Sequence, residues 1–190
     1  MKAQIKLLGI DDGSFVFNGK NTLLIGVVMR ANGYIEGVLK REILIDGSDA
    51  TDVLTEMIEQ TPHRKQIKAI LLDGVAVGGF NIIDIEKVYK IIQLPIITVT
   101  RDLPNLEQMK KALQSHFSDW KSRFQLIQKG PLQAMETQHN PIYFKCVGLD
   151  DQRAKEIITI STIRGVIPDP IRVAHLIASG FIRGESVGKA

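Results

Sequence analysis

Short apolar runs divide the first quarter of the chain, and turn-forming residues follow each run. Residues 4–10 form one such run, which predicts a buried strand that ends at two consecutive aspartates. Further strands are predicted over residues 22–30 and 34–45, with an asparagine-glycine pair between them that favours a hairpin turn. Three consecutive strands joined by short turns indicate an antiparallel meander.

After residue 45, apolar positions recur at the three- and four-residue spacing of helices. A first helix is predicted after a cap at Ser48 or Asp49, and Pro62 ends it. Residues 120–140 show no clear period, and no element is predicted there. The remaining pattern predicts strands at 67–72, 94–100 and 142–147, and helices at 82–92, from 104, at 150–161 and at 169–179.

Three antiparallel strands followed by strands that alternate with helices predict a mixed α/β sheet with helices on both faces. A strand, a helix and a second strand at this spacing form a right-handed parallel crossover. The order is similar to the ribonuclease H-like arrangement. With 190 residues and no linker, the chain is expected to form a single domain over residues 1–190. Because unrelated enzymes share this arrangement, it does not decide function.

The composition is that of an ordinary globular protein, with 44% hydrophobic and 24% charged residues. This excludes a disordered chain and a disulfide-stapled miniprotein. A single cysteine, Cys146, favours a reducing compartment. No apolar run reaches the roughly 20 residues that cross a bilayer, and the first residues lack a signal-peptide pattern. We therefore expect a cytoplasmic protein with no membrane partner.

The charge is unevenly distributed along the chain. Residues 1–60 carry a net charge of −3, residues 61–130 carry +5, and residues 131–190 carry +1. An acidic first third before a basic middle is compatible with a carboxylate site beside a polyanion-binding surface. Solvated charge on the surface explains the same pattern.

Acidic residues fall at the ends of predicted elements. Asp11 and Asp12 end the first strand, Asp49 and Asp52 open the first helix, and Asp73 ends the next strand. If the two strands are neighbours, their carboxylates meet at one edge of the sheet, where they favour Mg²⁺ or Mn²⁺. Alternation points Asp11 and Asp12 to opposite faces, so only one is expected to be a ligand, and we choose Asp11. Each Asp-Gly pair is also a common turn.

Other candidate chemistry is sparse. The glycine-containing segment 73–80 lacks the residues of a phosphate loop or a dinucleotide site, so its glycines either admit a substrate or make a turn. His175 lies on the last predicted helix, where a lone histidine is usually on the surface or in the core. No nucleophile-elbow pattern supports covalent hydrolysis.

Four segments make the chain similar to the endonuclease V superfamily and, more narrowly, to the archaeal endonuclease dU family, formerly a domain of unknown function. Residues 167–175 (IPDPIRVAH) resemble the P-E-P-T-R-x-A-H segment of endonuclease V. Residues 70–74 (ILLDG) resemble its strand ending in Asp-Gly. Residues 94–101 (LPIITVTR) and 140–143 (NPIY) resemble two further segments. The resemblance spans nearly the whole chain.

The resemblance implies a metal site and its surroundings. Asp11 and Asp73 are the implied strand-end carboxylates, holding one or two Mg²⁺ or Mn²⁺ ions. Arg101 stands where the family usually has a lysine near the scissile phosphate. His175 is an implied metal ligand or proton-transfer residue. A third carboxylate is implied at the start of the first helix, where aligning the apolar residues selects Asp49.

Two features depart from the endonuclease V pattern. In the family, the third carboxylate precedes the second strand-end aspartate by 21 residues. That separation selects Asp52 and not Asp49, so both residues stay open as the third carboxylate. Either one is aspartate where the family has glutamate. The wedge that probes bases survives at most as residues 34–37, without prolines. This departure bears on deoxyinosine specificity more than on phosphodiester hydrolysis.

The leading hypothesis is a metal-dependent endonuclease that acts on DNA, or RNA, and repairs DNA carrying uracil or hypoxanthine. Two other classes remain open: a non-catalytic nucleic-acid-binding protein with a degenerate site, and a nucleotide-processing enzyme. Lysines of the basic middle are expected to follow the nucleic-acid backbone, namely Lys110, Lys111 and Lys121.

Overall fold

The computed structural model describes residues 4–13 and 19–186, which contain one seven-stranded sheet, a two-stranded hairpin and six α-helices. Within these ranges, every helix is too short or too polar to cross a bilayer. The strands are β1 (Lys6–Asp12), β2 (Asn21–Arg30), β3 (Ile35–Leu44), β4 (Ile67–Asp73), β5 (Ala76–Val77), β6 (Asn81–Ile82), β7 (Ile96–Thr100), β8 (Gln133–Met135) and β9 (Ile142–Val147). The helices are α1 (Ala50–Gln60), α2 (Ile85–Ile92), α3 (Leu106–His116), α4 (Trp120–Gln128), α5 (Asp151–Ser161) and α6 (Asp169–Arg183).

The large sheet has the strand order β3-β2-β1-β4-β7-β9-β8. β2 lies antiparallel between β1 and β3, and so forms the predicted meander. β4 pairs parallel with both β1 and β7. Helices α1 and α2 cover one face, and α5 and α6 cover the other. The predicted mixed α/β sheet with helices on both faces is confirmed.

Three details differ from the sequence prediction. β9 pairs antiparallel with β7, and does not continue the parallel series. The unassigned residues 120–140 contain α4 and β8, and the glycine-containing segment 73–80 contributes β5 to a hairpin with β6. An apolar pattern indicates the type of an element, but the direction of pairing depends on contacts with distant strands.

Alternation along the central strands places two acids on one face of the sheet. Leu7 of β1 and Leu71 of β4 pack against α5 and α6. Asp11 and Asp73 lie four and two residues after these leucines, so they face the same side. Asp12 faces the side covered by α1.

Helix α6 crosses β1 at Gly9. A Cβ atom at Gly9 would lie 2.1 Å from the carbonyl carbon of Pro170 and 2.3 Å from its oxygen. Only a residue without a side chain allows this approach. Gly9 therefore lets α6 lie directly on β1, and α6 carries His175 toward the end of that strand.

Gly9→Ala is expected to lower the free energy of unfolding by about 3 kcal/mol or more, because the added methyl group collides with helix backbone. Urea denaturation measures the change. Gly180→Ala is the matched control, since a Cβ atom at this position of α6 would meet no heavy atom of the described residues within 4 Å, apart from its own helix backbone. It should leave stability unchanged or raise it by up to about 1 kcal/mol. Equal urea midpoints for Gly9→Ala and the wild type would contradict this close contact.

Candidate active site

The end of β1 and helix α6 meet at a hydrogen bond between Asp11 and His175. His175 Nδ1 lies 2.8 Å from Asp11 Oδ2. Asp11 is only 4% exposed, and its Oδ1 accepts the backbone N–H of Asp12 at 2.8 Å. The hydrogen bond to Asp11 raises the pKa of His175 above its usual value, although partial burial opposes the increase. The structure therefore brings two of the predicted site residues into direct contact.

Asp73 ends the neighbouring strand β4 on the same face of the sheet. Asp73 is exposed at the edge of the sheet, but the protein around its carboxyl group displaces water and raises the pKa of Asp73 to about 6, and the charge of Asp11 adds to the increase. The positive charges of Arg101, which directly follows β7, and His175 oppose it. Because such effects weaken with distance, these four residues form one electrostatic group. We call Asp11 and Asp73 the acid pair.

Asp12 is a further acid at this edge, and the sequence prediction set it aside. Its Oδ2 accepts the backbone N–H of Gly78 at 2.9 Å. Burial raises the pKa of Asp12 to about 7, and the charges of both members of the acid pair contribute. Two adjacent acids at the end of a buried strand are the signal that could have identified it.

The raised pKa of Asp12 makes the stability of the metal-free protein depend on pH. The native carboxyl keeps its proton up to about pH 7, whereas the unfolded one loses it near pH 4. Its contribution to stability is therefore present below about pH 4 and lost as the pH rises through about 7.

Asp12→Asn is expected to raise the free energy of unfolding at about pH 8 by up to about 4 kcal/mol, and to change it little near pH 4. Urea denaturation in EDTA at a series of pH values tests this. Asp150→Asn is the control, because Asp150 is an exposed helix cap and asparagine caps equally well. If the free energy of unfolding of Asp12→Asn depended on pH as that of the wild type does, the charge of Asp12 would not destabilise the native state.

The hydrogen bonds of Asp49 go to residues outside the acid pair, and its role as the third carboxylate stays a prediction from the family. Its two oxygens each accept the backbone N–H of Leu44 at 3.2 Å, and one accepts the amide of Asn81 at 2.6 Å. Asp52 is exposed and pairs with Lys87 at 2.7 Å. Helix α1, at whose start both acids lie, packs on the face opposite to α6.

The donor set at the acid pair fits a hard divalent ion. Across residues 4–13 and 19–186, no three carboxylate, imidazole or thiol side chains form a ready-made metal cluster. Mg²⁺, however, usually takes one or two protein carboxylates and completes its coordination with water and phosphate oxygens. The acid pair supplies two carboxylates, and a cation would stabilise the ionised form of Asp73, which desolvation and repulsion from Asp11 disfavour.

A cleft of about 820 Å³ opens beside Asp73, Arg101 and His175. One wall is formed by α3, α4 and the segments that flank them. Three leucines of this wall are at least 37% exposed. Beyond Asp73, Arg101 and His175 the lining is therefore mainly apolar, although it also contains polar residues such as Lys145. Its apolar residues include Leu103, Leu106, Met109, Ile127 and Leu132.

The predicted backbone-binding lysines lie on α3 and α4, the helices of the cleft wall. Lys110 Nζ lies 5.7 Å from the ring centre of Phe124, and Lys121 Nζ lies 5.8 Å from that of Trp120. Lys111 is exposed. Their contact with nucleic acid stays a prediction.

This strand order defines a ribonuclease H-like fold of the endonuclease V type. The catalytic domain of human endonuclease V has the same fold, with a TM-score of 0.60 at 14% identity over 95% of this chain and 83% of that one. Ciona intestinalis endonuclease V, in complex with a 24mer DNA containing an inosine followed by a ribo-adenosine, gives a TM-score of 0.60 at 15% identity. The match covers 90% of this chain and 83% of that one.

The chain belongs to the endonuclease dU family, whose sequence profile matches residues 3–182. A UPF0215 protein from Methanosarcina mazei is 42% identical over 193 residues, covering all of this chain and 97% of that protein. The crystal structure of a protein of unknown function from Archaeoglobus fulgidus gives a TM-score of 0.85 at 35% identity, over 94% and 99% of the two chains. The predicted family is confirmed, and it is a nuclease family.

Proposed function

We propose that the protein is a metal-dependent endonuclease that hydrolyses phosphodiester bonds in DNA carrying uracil or hypoxanthine, and that it acts in DNA repair in the cytoplasm. RNA is a second polymer that the same chemistry admits. The observation that carries the proposal is the Asp11–His175 hydrogen bond, which lies beside Asp73 and Arg101 at the mouth of a cleft.

Asp11 and Asp73 would hold Mg²⁺ or Mn²⁺ with their carboxylate oxygens. Such an ion, when bound, lowers the pKa of water and stabilises negative charge on a phosphate. Asp11 also orients the imidazole of His175 through the 2.8 Å hydrogen bond. Asp49 as a third ligand stays a prediction from the family, and its present bonds to Leu44 and Asn81 do not favour it.

Arg101 and His175 provide the other charges at the reacting phosphate. The planar guanidinium of Arg101 suits two phosphate oxygens at once. His175 lines the cleft and uses Nδ1 on Asp11, so Nε2 remains to transfer a proton to or from the substrate. The raised pKa keeps the imidazole protonated at higher pH than an ordinary histidine.

The apolar cleft supports a substrate with an extruded base. Enzymes that recognise a damaged base take it out of the stack, which costs least when the base is mispaired. Lys110, Lys111 and Lys121 would bind the flanking phosphates, so binding should weaken with salt.

End-labelled duplexes that contain uracil, hypoxanthine or no lesion test this function in Mn²⁺, Mg²⁺ and EDTA. We expect strand cleavage of the lesion duplexes with metal and none in EDTA. Asp11→Asn should abolish cleavage while it remains folded. Folded wild-type protein that leaves every duplex intact with either ion would contradict the proposal.

A non-catalytic nucleic-acid-binding protein is the second candidate. The bonds that hold Asp49 at Leu44 and Asn81, and the missing ready-made ligand cluster in the described ranges, favour it. This candidate predicts DNA binding without cleavage in any divalent ion, so the same assay separates the two.

A further inference from the structure

Lys145 of β9 is a half-buried cation on the cleft wall that the proposed hydrolysis does not use. Its Nζ donates to the backbone carbonyls of Ile127 at 2.7 Å and Lys129 at 2.8 Å. These carbonyls lie at the end of α4, where the helix dipole favours a positive charge. Among residues 4–13 and 19–186, no carboxylate pairs with Lys145, and burial alone lowers its pKa.

The Lys145 ammonium retains one donor for a ligand. An ammonium group has three N–H donors and no acceptor. Two N–H groups are used on the helix-end carbonyls, and within the described ranges the third has no protein acceptor. A cation without a counter-charge on the wall of a cleft is suited to an acceptor that enters the cleft.

The surroundings of Lys145 favour a base over a phosphate. Leu103, Leu106 and Leu132 line the same cleft and present exposed apolar surface to it. Lys145 pairs with Thr98 of β7, two strand spacings, or about 10 Å, from β4, and both side chains lie on the face of the sheet opposite to the acid pair. The cleft nevertheless reaches both Asp73 and Lys145, so a nucleotide with its phosphate at the acid pair would lay its base along the cleft toward Lys145.

We propose that Lys145 determines base specificity by donating a hydrogen bond to a carbonyl oxygen of an extruded base, an inference that rests on the proposed function. Cytosine and adenine carry an amino group where uracil and hypoxanthine carry a carbonyl oxygen, because deamination replaces the amino group with that oxygen. An amino group facing Lys145 leaves both partners without an acceptor. Thymine and guanine carry the same carbonyl, but in an intact duplex stacking and pairing make their extrusion costlier.

Fluorescence anisotropy in EDTA tests this with four labelled duplexes. Each carries uracil, cytosine, hypoxanthine or adenine opposite an abasic site, so that no member of either matched pair is base-paired. The wild type is expected to bind uracil over cytosine, and hypoxanthine over adenine, by about tenfold or more. Lys145→Met should bring both ratios near one without weakening the cytosine and adenine complexes. Lys68→Met, an exposed lysine at the other end of β4, should behave as the wild type.

Three results would overturn the proposal: equal binding of all four duplexes by the wild type, a preference that survives in Lys145→Met, or an equal loss for all four, which would indicate a phosphate contact. Lys145→Gln serves as a second variant if Lys145→Met fails to fold, and should also bring the ratios toward one. Cleavage of the same duplexes in Mn²⁺ separates the two proposals. If the protein cleaves the duplexes without any base preference, only the role of Lys145 is overturned. If it neither binds nor cleaves them, the proposed nuclease function is overturned as well.

Discussion

Replacing Asp73 with asparagine is expected to lower the rate of metal-dependent cleavage by at least about 10³-fold. The acid pair would hold the divalent ion, and an amide in place of one carboxylate removes a full negative charge from that position. A bound ion contributes several kcal/mol of charge stabilisation to such reactions, which corresponds to a rate change of this size. Single-turnover cleavage of a uracil duplex in saturating Mn²⁺ measures the effect.

The Asp73 variant should not lose stability, and this separates chemistry from folding. Desolvation and the charge of Asp11 raise the pKa of the exposed Asp73 to about 6, so its ionised carboxylate does not stabilise the native protein above that pH. Asp73→Asn is therefore expected to be at least as stable as the wild type near pH 8 in EDTA. Asp150→Asn serves as the control for charge removal at an exposed cap. Wild-type cleavage rates in a folded Asp73→Asn protein would rule out its role as a ligand.

His175→Gln is expected to lower the cleavage rate by about 10²–10³-fold, within the usual range for loss of a general acid or base. The wild-type rate should fall at alkaline pH, with an inflection above the ordinary histidine pKa, because the hydrogen bond to Asp11 raises the pKa of His175. The variant should lack that inflection. Rates measured from about pH 6 to 9 in both proteins test this.

The matched control for His175 is His139→Gln, because His139 lies outside the cleft and its side chain is exposed. We expect its pH profile to follow that of the wild type. If His175→Gln cleaves slowly but retains the alkaline inflection, another group controls the proton transfer. A reduced affinity for Mn²⁺ in His175→Gln would instead identify His175 as a metal ligand.

The apolar runs, their spacing and the turn residues between them predicted the mixed sheet and the two strand-end acids. Leu7 and Leu71 set the parity of their strands, and parallel neighbours end at the same edge, so Asp11 and Asp73 had to meet if β1 and β4 were adjacent. The antiparallel direction of β9 was not predictable in this way. It depends on its pairing with β7, which no local pattern records.

Other parts of the candidate site depend on tertiary packing. The contact of His175 with Asp11 requires α6 to lie on Gly9, and only the family resemblance pointed to it. Aligning the apolar residues of the first helix with the family selected Asp49, but α1 packs on the opposite face of the sheet. The position of Lys145 in the cleft follows from helix α4, which lies in the segment without a clear period.

Isothermal titration of Mn²⁺ into the wild type and Asp11→Asn tests most directly whether the acid pair holds a divalent ion. We expect saturable binding of about one or two ions per chain in the wild type and no saturable heat in the folded variant. Identical titrations for the two proteins, or no saturable heat for the wild type, would contradict a metal site at these carboxylates.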